Sequence, residues 1–251
     1  MADQALRGKV AVVGGASKNL GSLICKTLGA EGASVAVHYN SASSKTPAEE
    51  TVKAVKAKGG EAVAFQADLR KVPEVVKLFD EVMKRYGRID IAVNTAGKVL
   101  KKPIVDTTEE EFDEMFAVNT KAAYFFMREA AKRMNEGGKI INIGTSLLAA
   151  FTGLYSVYAG AKAPLEHFTR AAAKELGPRG ISVNNIAPGP MDTPFFYPAE
   201  TPDSITYHKS ASMNGKLTDI HDIVPIVKFL ATDGRWITGQ TIFANGGYTT
   251  R

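Results

Sequence analysis

The chain has 251 residues, 45% of them apolar and 23% charged, with a formal net charge of +5 at pH 7, which is enough for one large α/β domain with a buried core. No apolar stretch approaches the ~20 residues a bilayer crossing needs, and Met1-Ala2-Asp3-Gln4 lacks a basic region followed by an apolar run, so a soluble, cytoplasmic protein with no membrane partner is expected. Basic residues are spread rather than clustered, which argues against nucleic acid, and the lone Cys25 and the scattered His38, His167, His208 and His221 offer neither an internal disulfide nor a metal-ligand set.

Short apolar runs alternate with helical patterns along the chain. Val10–Val13 reads as the first strand and runs into Gly14-Gly15-Ala16-Ser17-Lys18-Asn19-Leu20-Gly21. A helix follows over 18–30, with Leu20, Leu23, Ile24, Cys25 and Leu28 at core spacing. Then come a strand at Ser34–Val37, a helix over 47–58, a strand at Ala62–Gln66, a helix over 73–86 and a strand at Ile89–Asn94. The second half continues with a helix over 108–135, a strand at Lys139–Ile143, a helix over 156–176, a strand at Ser182–Ile186, a helix over 219–231 and a strand at Thr241–Phe243. Gly59-Gly60, Gly87, Gly137-Gly138 and Gly177-Pro178 fall where helices should stop. This order predicts a single α/β domain, a doubly wound, Rossmann-like parallel sheet of about seven strands with helices on both faces. The stretch 188–217, rich in Pro, Phe, Tyr and Met, is long for a connection, and a lid is expected over about 190–217.

Two motifs carry chemistry. The turn after the first strand offers backbone N–H groups to a pyrophosphate at a helix N-terminus. In Tyr158-Ala159-Gly160-Ala161-Lys162, spacing by four sets a phenol and an ammonium on one helix face. A phenol with a pKa near ~10 exchanges protons readily at neutral pH only when a nearby positive charge stabilises its anion.

In this order, and over essentially the whole length, the motifs resemble the short-chain dehydrogenase/reductase family, including its 3-oxoacyl-(acyl-carrier-protein) reductases and NADPH-dependent carbonyl reductases. The family pattern at the first turn is Thr-Gly-x-x-x-Gly-x-Gly. Here Gly14 replaces the threonine and Asn19 the middle glycine; Asn tolerates positive φ, while the missing hydroxyl puts one local hydrogen bond in question. The resemblance implies cofactor contacts from Gly15, Ser17, Lys18, Asn19, Leu20 and Gly21. It implies further contacts from Asp68 and Leu69 at the adenine, from Asn94, Ala96 and Gly97 in the Asn-Thr-Ala-Gly turn, and from Pro188, Gly189, Met191 and Thr193 at the nicotinamide carboxamide. No carboxylate ends the second strand, where Tyr39, Asn40 and Ser41 stand; with Lys18 they point to NADPH rather than NADH.

The resemblance also implies a catalytic set of Asn119, Ser146, Tyr158 and Lys162. Tyr158 would protonate the carbonyl oxygen, the serine would orient that oxygen, Lys162 would bind ribose and lower the Tyr158 pKa, and Asn119 would hold a relay water. Spacing to Tyr158 favours Thr145 for the orienting hydroxyl, whereas the following Leu147-Leu148-Ala149 favours Ser146, which is preferred. Leu148, Tyr155, Phe195 and Phe196 would wall a pocket for a bulky apolar or aromatic ketone or its alcohol. Lys101, Lys102 and Lys174 offer the alternative of meeting the phosphate of an acyl-carrier substrate. A homotetramer is expected by resemblance. The rival from another class is an NADPH-sensing regulator without turnover; against a serine hydrolase stand the lack of a Gly-x-Ser-x-Gly elbow and of an evident nucleophile partner for His38, His167, His208 and His221. Pro164, two residues past Lys162, has no functional account in the sequence.

Overall fold

β1 (Val10–Gly14) is buried at every position, as a strand covered on both faces must be, and its near-continuous apolar run follows from that. A computed structural model describes residues 4–250 of the chain. β1 is followed by α1 (Asn19–Ala30), β2 (Ser34–Tyr39), α2 (Lys45–Ala57), β3 (Glu61–Gln66), α3 (Val72–Tyr86) and β4 (Ile91–Asn94). The second half adds α4 (Glu109–Phe116), α5 (Ala122–Arg133), β5 (Lys139–Ile143), α6 (Ser156–Lys162), α7 (Pro164–Leu176), β6 (Ser182–Pro188), α8 (Pro202–Ser210), α9 (Ile220–Ala231) and β7 (Thr241–Ala244).

The seven strands form one sheet in the order β3-β2-β1-β4-β5-β6-β7, every pair parallel. On one face Ile24 and Leu28 of α1, Val55 of α2 and Val227 and Leu230 of α9 pack on Val13, Val35 and Ile141. On the other, Leu78 and Phe79 of α3 and Phe126 and Ala130 of α5 pack on Val12, Ala92 and Ile140. Cys25 lies wholly within the first layer, and burial pushes its thiol far above its usual range. The chain winds outward from β1 to β3, then crosses back to β4 on the other side of β1. Such a reversal opens a crevice at the carboxyl ends of the strands, which is where ligands bind in sheets of this kind.

Three expected elements differ in detail. The helix over 108–135 is interrupted by a π-turn at Ala117–Lys121 that re-aims Asn119. The helix over 156–176 is divided at Ala163, so Pro164 stands in the first turn of α7, where its missing N–H costs least. The irregular stretch contains α8, begun by a Thr201–Ser204 capping box. Its ends are held together by Asp192 N–H to the Thr218 carbonyl and Thr218 N–H to the Pro190 carbonyl, both 2.9 Å. Among the described residues no helix is long and apolar enough to cross a membrane.

Candidate active site

The turn between β1 and α1 is built around close approaches. A Cβ on Gly21 would lie 2.4 Å from the Gly15 carbonyl oxygen, and one on Gly15, whose φ is +72°, would lie 2.8 Å from the Ala96 nitrogen. Asn19 takes φ +50°, the conformation that its amide side chain tolerates. The hydroxyl that Gly14 lacks comes from the neighbouring strand, because Thr95 Oγ1 donates to the Gly14 carbonyl at 2.8 Å. Gly14 and Thr95 thus depart from the family pattern together, and each offsets the other. Sequence reasoning missed His38: its Nδ1 accepts from Gly15 N–H at 3.0 Å while its Nε2–H donates to the Ala67 carbonyl at 2.8 Å. Both bonds need the neutral ring, and burial lowers the imidazole from 6.5 to about 4.

Beside this turn runs a groove of about 430 Å³, lined by Gly15, Ser17, Lys18, Asn19, Leu20, Gly21, Asn40, Asp68, Leu69, Ala96, Gly97, Met191 and Thr193, with Tyr158 and Lys162 at one end. His38 and Arg70 line it as well. Arg70 grips the Asp68 carboxylate through two bonds of 2.9 Å, and that pairing holds the carboxyl below its usual range. Tyr39 does not reach the groove: it is buried in the apolar layer with Val37 and Ala48. Ser41 is turned away too, its hydroxyl paired with Ser43 at 2.9 Å. Asn94 lies beneath the surface, its Oδ1 accepting Ala96 N–H at 3.1 Å, and so shapes the turn from below. Pro188 and Gly189 line the neighbouring cavity instead.

At the far end α6 carries Tyr158 and Lys162, both buried. Lys162 Nζ donates to the Ile143 carbonyl at the end of β5 at 2.9 Å, and burial lowers its ammonium to about 8. Asn119, fully buried, donates through Nδ2 to the Lys98 carbonyl at 2.9 Å and accepts Lys98 N–H on Oδ1 at 3.1 Å. A Cβ added to Gly97 would meet both Asn119 Oδ1, at 2.9 Å, and Lys162 Nζ, at 3.2 Å, so these two side chains flank one point.

Two expectations about this end are corrected. The hydroxyl that meets Tyr158 belongs to Thr145, not Ser146. Thr145 is extended, at φ −158°, and caps the short turn Ser146–Leu148 by accepting Leu147 N–H at 3.2 Å, so its hydroxyl still has a proton to give. Ser146, one residue into the turn, is buried and also reaches the neighbouring cavity. Nor does Lys162 bring the Tyr158 pKa down in this arrangement: burial dominates and raises it to about 12, with the Thr145 hydroxyl pulling the other way. At neutral pH the phenol therefore keeps its proton, as an acid must before it acts.

A second cavity, of about 80 Å³, abuts Tyr158 on the side away from Lys162. Tyr155, Phe195 and Phe196 line it, together with Val99, Leu147, Glu200, His208 and Tyr248. Leu148 does not, since the short turn directs Leu147 inward instead. Tyr158, Gly144, Met191 and Phe195 line both spaces, so groove and cavity meet at the phenol. Two of the three lysines expected to face a phosphorylated carrier are engaged, Lys101 with Glu200 at 2.5 Å and Lys102 with Glu111 at 2.8 Å; the third, Lys174, is exposed on α7 and lines neither space.

A family model described as enoyl-(acyl carrier protein) reductase matches residues 15–249. The chain belongs to the short-chain dehydrogenase/reductase family. As a member it is an NAD(P)-dependent oxidoreductase. A hydroxynaphthalene reductase-like protein of Metarhizium brunneum is 37% identical over 262 residues, covering 98% of this chain and 97% of that one. A putative dehydrogenase from Burkholderia cenocepacia, solved with bound NADP, superposes with a TM-score of 0.96 at 56% identity, covering 100% of this chain and 97% of its own. An angucycline C-6 ketoreductase, also solved with NADP, superposes at 0.90 and 35% identity, covering 97% and 96%. The groove of this short-chain dehydrogenase/reductase fits a dinucleotide on its own residues. Its glycines leave a cradle that a Cβ would fill, its turn opens a helix, and Lys18 adds a cation to its lining.

Proposed function

We propose that the protein is an NADPH-dependent reductase of apolar or aromatic ketones. NADP(H) is the cofactor, in keeping with the NADP-bound structures it resembles and with a β2 end free of carboxylate. Gly15, Ser17, Asn19, Leu20 and Gly21 would hold the pyrophosphate, Lys18 and Asn40 the 2′-phosphate, Asp68 and Leu69 the adenine, and Lys162 the ribose. Met191 and Thr193 would hold the carboxamide. Bound NADPH supplies a hydride.

The chain's own groups do the rest. Thr145 donates to the substrate carbonyl oxygen and fixes it beside Tyr158. Tyr158, protonated at neutral pH, delivers its proton to that oxygen as negative charge develops. Lys162 and Asn119, flanking one point below the groove, provide the route by which the phenol regains a proton from water. The walls of Val99, Leu147, Phe195 and Phe196 exclude water from the reacting carbon.

The observation that carries this reading is that one buried, protonated phenol lines both the dinucleotide groove and the apolar cavity. The relatives named as a hydroxynaphthalene reductase-like protein and an angucycline ketoreductase support an aromatic ketone. The engagement of Lys101 and Lys102 with Glu200 and Glu111 weighs against a carrier-borne acyl chain. A homotetramer is part of the same proposal: Phe112 and Tyr124, on α4 and α5, are apolar and exposed, and size measurement giving an active monomer would remove it.

The test is consumption of NADPH and of NADH with a panel of aromatic ketones, diketones and 3-oxoacyl thioesters, beside Tyr158→Phe. NADPH-dependent turnover of ketones that the variant loses is the expected result. Tight NADPH binding with no turnover on any member would favour the cofactor-sensing regulator.

A further inference from the structure

Among the described residues outside the catalytic set, one carboxylate gathers four side-chain partners. Glu200, at the start of the segment leading into α8, has a side chain only 1% exposed, against the wall of the 80 Å³ cavity. One of its oxygens accepts from the Tyr155 hydroxyl; the other accepts from Lys101 Nζ and Ser204 Oγ, each at 2.5 Å, with His208 Nε2 at 3.4 Å. Tyr155 precedes α6, and Lys101 lies on the loop after β4, so both belong to the body of the molecule. Ser204 and His208 belong to the lid.

The lid runs from Met191 to Thr218. Its base is pinned by the paired backbone bonds of those two residues' neighbourhood, and Asn214 and Gly215, with φ of +59° and +62°, mark a sharp bend before the far end. Among the described residues three side-chain hydrogen bonds tie lid to body. Two converge on Glu200, and the third joins His208 Nδ1 to the Tyr248 hydroxyl at 2.9 Å. A backbone bond from Met213 N–H to the Gly246 carbonyl, at 2.7 Å, completes the set. With the lid so held, Phe195 and Phe196 close on a space of 80 Å³, which takes a few waters or a small ketone but not a fused aromatic ring system.

We propose that Glu200 is a specificity-determining residue: its bonds to Lys101 and Tyr155 latch the lid over the substrate cavity, and a bulky ketone enters only when that latch opens. The inference rests on the reading of this cavity as the substrate site. Affinity for a ligand that needs the open lid is reduced by the fraction of molecules that are open, so loosening the latch raises kcat/KM for bulky ketones while small ones, which fit the closed form, are unaffected. Lys101 provides a handle because it lines neither the groove nor the cavity; besides its bond to Glu200, its ammonium lies 5.4 Å from the centre of the Tyr155 ring, on the body side of the same latch. Loss of one charge-assisted hydrogen bond shifts such an equilibrium by about tenfold or more.

The test compares Lys101→Met, Glu200→Gln and the double variant with the parent protein on butanone and on α-tetralone, and follows chymotryptic cleavage at Phe195 and Tyr207. Each single variant should raise the tetralone-to-butanone ratio of kcat/KM by about tenfold and speed lid cleavage to a similar degree, with the double variant adding little because both act on one bond. A general loss of fold would depress both ketones together and leave the ratio where it was. An unchanged ratio with unchanged cleavage overturns the latch, as does full additivity in the double variant. If no ketone is reduced even by the parent protein, the functional reading fails by itself, and the cleavage rates still decide whether Glu200 latches the lid.

Discussion

Protonation of His38 should cost the fold a definite amount of stability as the pH falls. In the folded chain the ring is buried and neutral, accepting from Gly15 N–H and donating to the Ala67 carbonyl, and burial holds it at about 4 against 6.5 for a free histidine. Between those values the unfolded chain binds a proton that the folded chain refuses, so stability is complete above pH 6.5 and drains away as the pH drops toward 4. The full gap, at ~1.4 kcal/mol per pH unit, is worth about 3 kcal/mol. By pH ~5 some ~2 kcal/mol should already be gone, a large share of the ~5–15 kcal/mol a domain usually has. The assay is the urea midpoint of the parent protein and of His38→Asn from about pH 7.5 to about pH 5. Groups common to both chains, among them His208 and the paired carboxylates, contribute the same slope to each, so the difference isolates His38. The variant should start less stable, because Gly15 N–H loses its partner, yet fall less steeply. Parallel slopes would refute the reasoning.

Other predictions follow from the site. Tyr158→Phe should lower kcat by ~10²–10⁴-fold, measured as NADPH oxidation, with little change in NADPH affinity by fluorescence titration. Thr145→Ala should cost ~10²-fold or more in kcat/KM and Ser146→Ala only a few fold; the reverse order would return the orienting role to Ser146. Gly21→Ala places a methyl where the Gly15 carbonyl already stands, 2.4 Å away, so NADPH binding should collapse and the melting temperature should drop by an amount consistent with ~1–3 kcal/mol of overpacking. Lys18→Glu should weaken NADPH by at least tenfold while sparing NADH, and retention of the parent's preference would show that Lys18 does not meet the 2′-phosphate.

Much of the site was legible because it is local. The spacing from Tyr158 to Lys162 is one helical turn, the glycine turn follows directly from β1, and Asp68 and Ala96-Gly97 follow strands that periodicity locates, though it was the family resemblance that singled them out. The misjudgements share a different cause. Tyr39 and Ser41 stand at the right place in the chain, but side-chain direction at the end of β2 turns one into the core and pairs the other with Ser43. The choice between Thr145 and Ser146 depended on which residue caps a single short turn. His38 carried no motif, and only the approach of Gly15 on one side and Ala67 on the other gives it a role.

The sequence by itself determined the doubly wound sheet, the order of its helices, the cofactor turn and the Tyr–Lys pair, because alternation, helical period and glycine placement are short-range properties written residue by residue. Only the tertiary structure decided that Thr95 makes good what Gly14 lacks, 81 positions away, and that a π-turn aims Asn119 at Lys98. It alone joined Glu200 to Lys101 across 99 positions and to Tyr155 across 45. Those partners are chosen by packing and by the need to satisfy buried polar groups, and no local pattern in the chain records which distant residue will meet that need.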